Sequence, residues 1–322
     1  MGKLFCLQLQ KYCVIKRKGL VMALQKSVLV VGSINVDCTV NVSKLPKPGE
    51  TVHGTDAVYL PGGKGGNQAV SVAKAGTRAV MISAVGKDSH GSQALKSLSS
   101  YGVETAGVMQ KDGVTGTAFI FVETSGENLI VVTPGANSLV SPDDAERLIS
   151  EFSQEKAPIV LAQLELPIET VEHAARVTNQ AGGRFILNLA PAVEISEAML
   201  AVCDPIVVNE YEASFILGRE ISNAKDALAA AVDLAKRAKS VVITLGSQGA
   251  VYAERSEDLR AEAKHVQAEK VVAVDTTGAG DAFVGAMTAA LSRGSELGTA
   301  VEVGILAGTA AVLYFGAQPP QG

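Results

Sequence analysis

The run Asp275-Thr276-Thr277-Gly278-Ala279-Gly280-Asp281 carries the densest chemistry in the chain. The apolar stretch before it, Val271-Val272-Ala273-Val274, reads as a buried strand. The residues after it, Ala282 to Leu291, are Ala-rich and long enough for a buried helix. The expected arrangement is a strand, a tight Gly turn and a helix start. Gly278 and Gly280 permit positive φ and let a ligand approach the backbone. The first amides of a helix lack internal partners, and the helix dipole adds to their pull on a phosphate. A carboxylate at Asp281 is repelled by a polyphosphate in that place, so stability does not explain it. Its useful task there is to take a proton from a hydroxyl that attacks the phosphate. An Asp N-cap after a Gly turn gives the same residue pattern.

A second stretch, Gly62-Gly63-Lys64-Gly65-Gly66-Asn67, has four glycines in five positions. It reads as a bare backbone loop that offers amides and one lysine to a ligand. A helix from Gln68 follows, ended by Gly76. The GxxxxGK[ST] spacing is absent, and no GxGxxG follows the first strand, which argues against a Walker loop and a dinucleotide fold.

These residues need a scaffold, and the apolar pattern supplies one. Ser27 to Val31 opens the fold as a strand, with Asn35 and Asp37 just beyond at strand spacing, unless local turn bonds claim them. Residues 45–60 are punctuated by Pro and Gly and are expected to hold short strands, among them Glu50 to His53. Thr117 to Glu123 and Asn128 to Thr133 read as a hairpin turning at Thr124 to Glu127. Ser141-Pro142 starts a helix. Strands at 79–85, 159–164, 185–188, 205–208 and 241–244 alternate with helices, which predicts an α/β fold with a mostly parallel sheet covered on both faces. Ligands of such sheets bind at the carboxyl ends of the strands. Glu165, Asn188, Asn209, Glu212 and Thr244 fall there, as does the Gly turn Leu245-Gly246-Ser247-Gln248-Gly249.

Composition narrows the function classes. The chain has 322 residues, 47% hydrophobic and 19% charged, with a formal net charge of −5. No extended basic block favours nucleic acid. No apolar run approaches a membrane span. Cys6, Cys13, Cys38 and Cys203 are scattered, which suits a reduced, cytoplasmic protein. Residues 1–26 alternate lysines with short apolar pieces and are expected to form an extension outside the fold, with Met22 as an alternative start. The fold itself is expected over 27–322.

The motifs, taken in order, resemble those of the ribokinase-like (PfkB-type) sugar kinases. Gly62-Gly63-Lys64-Gly65-Gly66-Asn67 is similar to the N-terminal signature, Asn209-Glu210-Tyr211-Glu212 to the Asn-x-x-Glu motif, and Asp275 to Asp281 to the C-terminal signature. The likeness runs from about Ser27 to Gln318. It implies a three-layer α/β/α fold with a small β lid from about 39–60 and 117–133, and a homodimer paired through the lids. It implies that Asn35, Asp37, Gly62, Gly63, Lys64, Asn67 and Glu165 hold a sugar. Asp281 would be the base, with Gly278, Ala279 and Gly280 as the anion hole. Asn209, Thr244, Gly246, Ser247, Gln248, Gly249 and Gly280 would border ATP. Glu212 would organise Mg²⁺ through water. Asp275, Thr277, Ala311, Tyr314 and Gly316 would surround a monovalent cation, usually K⁺. Two residues depart from the pattern: Pro320 replaces a Ser expected near the cation, and Ile305 replaces a polar residue expected near adenine.

The resemblance implies ATP-dependent phosphorylation of D-ribose at O5. Deoxyribose, a nucleoside or a ketose would suit a kinase of the same family. A non-catalytic sugar- or nucleotide-binding regulator is the rival of another class, and the intact Asp281 and Gly-Ala-Gly turn weigh against it.

Overall fold

The computed structural model describes residues 27–125, 127–153, 157–256 and 261–319. The expected extension at 1–26, Cys6, Cys13, Gly126 and the Pro320 departure lie outside these residues.

Thirteen strands among the described residues form two sheets. They are β1 (Val28–Val31), β2 (Asn35–Val42), β3 (Val58–Gly62), β4 (Ala79–Gly86), β5 (Val108–Lys111), β6 (Gly116–Glu123) and β7 (Asn128–Thr133), then β8 (Ile159–Ala162), β9 (Arg184–Asn188), β10 (Cys203–Asn209), β11 (Ser240–Thr244), β12 (Ala250–Arg255) and β13 (Ala261–Val266). The large sheet runs β13-β12-β11-β10-β9-β8-β1-β4-β5. It is parallel from β11 to β5, and β12 and β13 close one edge antiparallel. Strand period two divides the core between its faces: Leu29 and Val31 of β1 join one apolar cluster, Val28 and Val30 the other. Helices Pro142–Phe152, Ile168–Gln180 and Ala224–Ala235 cover the first face. Helices Lys64–Lys74, Ala279–Ser292 and Leu297–Ala311 cover the second. The result is a three-layer α/β/α body. Between β1 and β8 the strand order reverses, which opens a crevice at the carboxyl ends of the strands.

Two helices on the second face position the site. Gly285 sits so close to its neighbour that a Cβ there would lie 2.5 Å from the Gln68 carbonyl oxygen and the Ser71 Cβ. Ser71 Oγ donates to the Ala282 carbonyl at 2.7 Å. These small residues let helices Lys64–Lys74 and Ala279–Ser292 touch along their backbones, with Asn67 and Gln68 of one against Asp281 of the other.

The second sheet has the order β3-β2-β6-β7. β2 leaves the main body at Asn35, pairs parallel with β6 and antiparallel with β3. Its strands leave Val58, Tyr59, Leu60, Phe119 and Leu129 to Val132 exposed.

The sequence expectations need four corrections. Val271 to Val274 is not a buried strand. It runs irregularly from the sheet edge toward the Gly turn, and Val272 is 89% exposed. Its polar backbone is served by the neighbouring segment, the Val274 amide donating to the Val312 carbonyl at 2.7 Å. Lys64 to Asn67 is not a loop but the first turn of a helix, with Gly65 and Gly66 buried. Close packing demands glycine at 65, since a Cβ there would lie 2.6 Å from Gly32 and Ser33 backbone. Gly280 has no positive φ, whereas Gly278 has φ +74°. Within 45–60 only β3 is a strand, and Gly54 makes one isolated bridge to Val42.

Candidate active site

Asp281 stands in the first turn of helix Ala279–Ser292 and is 9% exposed. It is not the N-cap: Gly278 holds that position, without a side-chain cap bond. A Cβ at Gly278 would meet the backbone of Ala317 at 2.6 Å, so both its space and its φ call for glycine. Two side-chain amides claim the carboxylate. Asn67 Nδ2 donates to Oδ2 at 3.0 Å and Gln68 Nε2 to Oδ1 at 2.8 Å. Burial pushes the Asp281 carboxyl above its ordinary range, against the pull of Lys64 and of the two amides.

On the side of β2, Asn35 and Asp37 share one face, as strand spacing requires. Asn137 Nδ2 donates to Asn35 Oδ1 at 2.8 Å, while Asn137 Oδ1 accepts the Ile34 amide at 3.0 Å. Glu165, just past β8, accepts the Ser33 hydroxyl and the Lys64 amide, the latter at 3.1 Å. One of the amides expected to face a ligand is therefore already engaged. Gly62 leaves room for the Asp37 carboxylate, which a Cβ would meet at 2.2 Å. Gly63 turns the chain into the helix with φ +85°. Burial, reinforced by Glu165 and Asp281, raises the Asp37 carboxyl to about 6 against the opposing effect of Lys64. Burial disfavours the Lys64 charge, yet Asp281, Glu165, Glu212 and Asp37 together hold it above the usual lysine range. Lys64 thus serves four carboxylates. A cavity of about 330 Å³ opens beside this group, lined by Asn35, Asn137 and Glu165 and by apolar residues such as Val132 and Leu164.

A second cavity, of about 150 Å³, has Asp281 in its wall. Lys64, Asn188, Asn209, Glu212, Thr244, Gly278 and Gly280 line it. A Cβ at Gly280 would meet nothing within 4 Å, so the helix start is open here. Asn209 and Glu212 make a reciprocal capping box: Asn209 Oδ1 accepts the Glu212 amide and Glu212 Oε2 accepts the Asn209 amide, each at 2.8 Å. The Asn-x-x-Glu spacing is therefore a helix start as well as a site feature. Burial raises the Glu212 carboxyl, while the Asn209 amide and Lys64 pull it down. Gly246, Ser247 and Gln248 form a single 3-10 turn after β11, and Gly249 follows with φ +93°. These four do not line the cavity. Ile305 is buried in the apolar cluster under helix Ala279–Ser292.

Asp275 ties two loops together. Its Oδ1 accepts the Thr277 amide and its Oδ2 the Gly316 amide, each at 2.9 Å. Burial works to raise this carboxyl, but the Gly316 and Thr277 donors hold it below the usual carboxylate range. An anionic carboxylate between loops 275–278 and 312–317 suits a monovalent cation ringed by carbonyls. Ala311 closes helix Leu297–Ala311 at the head of the second loop, which runs through Tyr314 and Gly316. No group of three or more His, Cys, Asp or Glu among the described residues could cage a divalent metal. Glu212 lines the second cavity and is a carboxylate that would suit a magnesium ion there.

Sequence reasoning missed Ser33, Gln68, Asn137 and the side chain of Gln318. Gln68 directly follows Asn67 and reaches the same carboxylate. Asn137 lies in the turn after β7, where only its polar type at a strand end signals a role.

Comparisons with known proteins bear on the family and the fold. The model of the pfkB family carbohydrate kinases matches residues 25–321. A ribokinase of Schizosaccharomyces pombe is 36% identical over 287 residues, covering 86% of this chain and 88% of the relative. A deoxyribokinase of Salmonella typhi is 33% identical and covers 90% and 94%. The solved structure of an Arabidopsis thaliana ribokinase complexed with ribose and ATP has a TM-score of 0.82 at 28% identity, covering 91% of this chain and 95% of that one. With its fold, its motifs and nearly its whole length matched, this chain belongs to the pfkB family of carbohydrate kinases, on the ribokinase-like side of it.

Proposed function

We propose that this enzyme transfers the γ-phosphoryl group of ATP to O5 of D-ribose, giving D-ribose 5-phosphate and ADP. The observation that carries the reading is the position of Asp281. Its carboxylate lies buried between a polar group suited to a sugar and an open helix start suited to a phosphate. Asn35, Asp37, Lys64, Asn67 and Glu165 bind the sugar hydroxyls, with Gly62 and Gly63 bringing the backbone close. Asp281 takes the O5 proton as O5 attacks the γ-phosphorus, and the bond from that phosphorus to ADP breaks. The amides of Gly278, Ala279 and Gly280 receive the charge on the transferring group. Thr244 and Asn209 border the nucleotide, with the 246–249 turn nearby. Magnesium, organised through water by Glu212, and potassium, held near Asp275, Thr277, Ala311, Tyr314 and Gly316, supply charge neutralisation when bound.

The four-stranded sheet acts as the lid over the sugar, and its exposed apolar strands pair with those of a second copy in a homodimer. No described helix is long and apolar enough to cross a membrane. Together with the two buried free cysteines described, Cys38 and Cys203, this supports a cytoplasmic enzyme. The deoxyribokinase relative keeps a second reading, phosphorylation of deoxyribose, in play. An assay coupled to ADP release across ribose, deoxyribose, fructose and adenosine separates the two. Ribose should give the highest kcat/KM; a higher value for deoxyribose would transfer the assignment to it, and no turnover with any sugar would end the kinase reading.

A further inference from the structure

We propose that Gln163 and Gln318 are positioning residues for the Asp281 base, acting through Gln68 and Asn67. This rests on the reading of Asp281 given above. A carboxylate only accepts hydrogen bonds, so an amide that touches it must present its NH₂ group. The amide carbonyl then faces away and needs a donor of its own. Both amides on Asp281 have one. Gln163 Nε2 donates to Gln68 Oε1 at 2.6 Å, and Gln318 Nε2 donates to Asn67 Oδ1 at 3.1 Å. The second hydrogen of Gln68 Nε2 goes to Asn188 Oδ1 at 2.9 Å. Two chains of amides, one from the end of β8 and one from the segment after helix Leu297–Ala311, therefore point their donors inward at the same carboxylate. Reversing either one would set carbonyl oxygen against carboxylate oxygen.

Core filling alone explains this poorly. The outermost carbonyls, Gln163 Oε1 and Gln318 Oε1, are buried and have no hydrogen-bond partner among the described residues. Gln163 is fully buried, and Gly32 makes the space for its Oε1, which a Cβ at 32 would meet at 2.0 Å. An apolar side chain would fill that space without stranding a carbonyl. What the apolar residue lacks is the donor that fixes Gln68, and with it the Asp281 carboxylate, in the orientation a proton acceptor needs.

The charged groups around Asp281 are Lys64, Glu165, Asp37 and Glu212. They stay unchanged in Gln163→Leu and Gln318→Leu, so a change in titration reports the amides. The test is the pH profile of kcat at saturating ATP and the preferred pentose, together with KM and Tm. With Gln163→Leu, Gln68 loses its anchor and the carboxylate loses a fixed donor. Loss of a donor to the charged form raises its pKa. The acidic limb of kcat should move to higher pH. At neutral pH kcat should fall by about fivefold to tenfold, the rate equivalent of one neutral hydrogen bond, and the deficit should close as pH rises. Sugar KM should change little for Gln163→Leu, which touches no sugar ligand. Gln318→Leu should move the limb in the same direction through Asn67, and it carries the test if Gln163→Leu does not fold. A uniform fall in kcat at every pH, with the acidic limb in place, would overturn the proposal and leave both glutamines as packing. The two readings fail separately. An active Asp281→Asn enzyme removes the base itself, whereas an inactive one with unmoved limbs in the glutamine variants removes only the positioning.

Discussion

The proposed sugar end and the proposed nucleotide end of this site are built differently. At the proposed sugar end, Ser33 holds Glu165 and Asn67 and Gln68 hold Asp281 before any ligand arrives, while Gly62 leaves room for Asp37. At the proposed nucleotide end an open helix start at Gly280 faces a cavity lined by Asn209, Glu212 and Thr244, and the run leading to it leaves Val272 and Val274 exposed. Proton handling needs groups held within hydrogen-bond reach, so that end is assembled in advance. Phosphate stabilisation needs donors and space, which the bare Gly278 and Gly280 positions leave among the polar side chains of that cavity.

The sharpest way to break this contrast is Gly280→Val. The fold has no objection to it: φ is ordinary and a Cβ meets open space. Tm should hold, yet turnover should fall by about 10²–10³-fold, because the new side chain fills the open space and keeps the phosphate off the amides, a loss on the order of that for one anion-hole donor. Circular dichroism with steady-state rates checks this, and an active variant would make the turn merely structural.

A smaller effect is expected at the sugar end from Asp37→Asn. Hydrogen bonds to charged groups are worth about 1.5–3 kcal/mol, so sugar KM should rise roughly 10- to 100-fold. The same substitution should raise Tm of the ligand-free enzyme at pH 7.5. The Asp37 pKa is raised in the fold to about 6, so its ionisation costs stability above that pH and the stabilisation it gives is lost as pH rises through about 6. The Tm gain should therefore shrink as pH falls below 6, where wild-type Asp37 is itself protonated. Sugar KM of the wild type should rise over the same window. A Tm gain that does not depend on pH would contradict the account.

The smallest effect should come from the monovalent cation. Replacing K⁺ by tetramethylammonium at constant ionic strength should lower kcat more than it changes sugar KM. Asp275 bonds to loops 275–277 and 316, and none of its hydrogen bonds reach Asp37 or Glu165. Equal rates in both salts would take the cation out of the mechanism.

The two ends also differed in how far the sequence revealed them. The strands were legible because parallel strands buried on both faces are continuous apolar runs, as at Val28–Val31 and Val241–Ile243. Asp281, Asp37 and Glu165 were legible because carboxylates at strand ends and helix starts are conspicuous. Several amides of the surrounding network were not. Gln68, Gln163 and Asn137 are common polar residues, and only tertiary contacts turn them toward a site. The reading of Val271–Val274 as a buried strand shows the reverse error: four apolar residues carry no information on whether a sheet has room for them. Gly65 is ambiguous in a similar way, since glycine marks both flexible loops and close packing, and here packing against Gly32 and Ser33 decides.

Asp281 is the proposed acceptor of the proton of the attacking hydroxyl. Asp281→Asn keeps the shape of the side chain and removes the base. Pentose binding measured by calorimetry and turnover measured by ADP release, on the same preparation, test the claim together. The account predicts sugar affinity within the range of the wild type, an unchanged fold, and a turnover reduced by about 10²–10⁴-fold; near-normal turnover in that variant would contradict it.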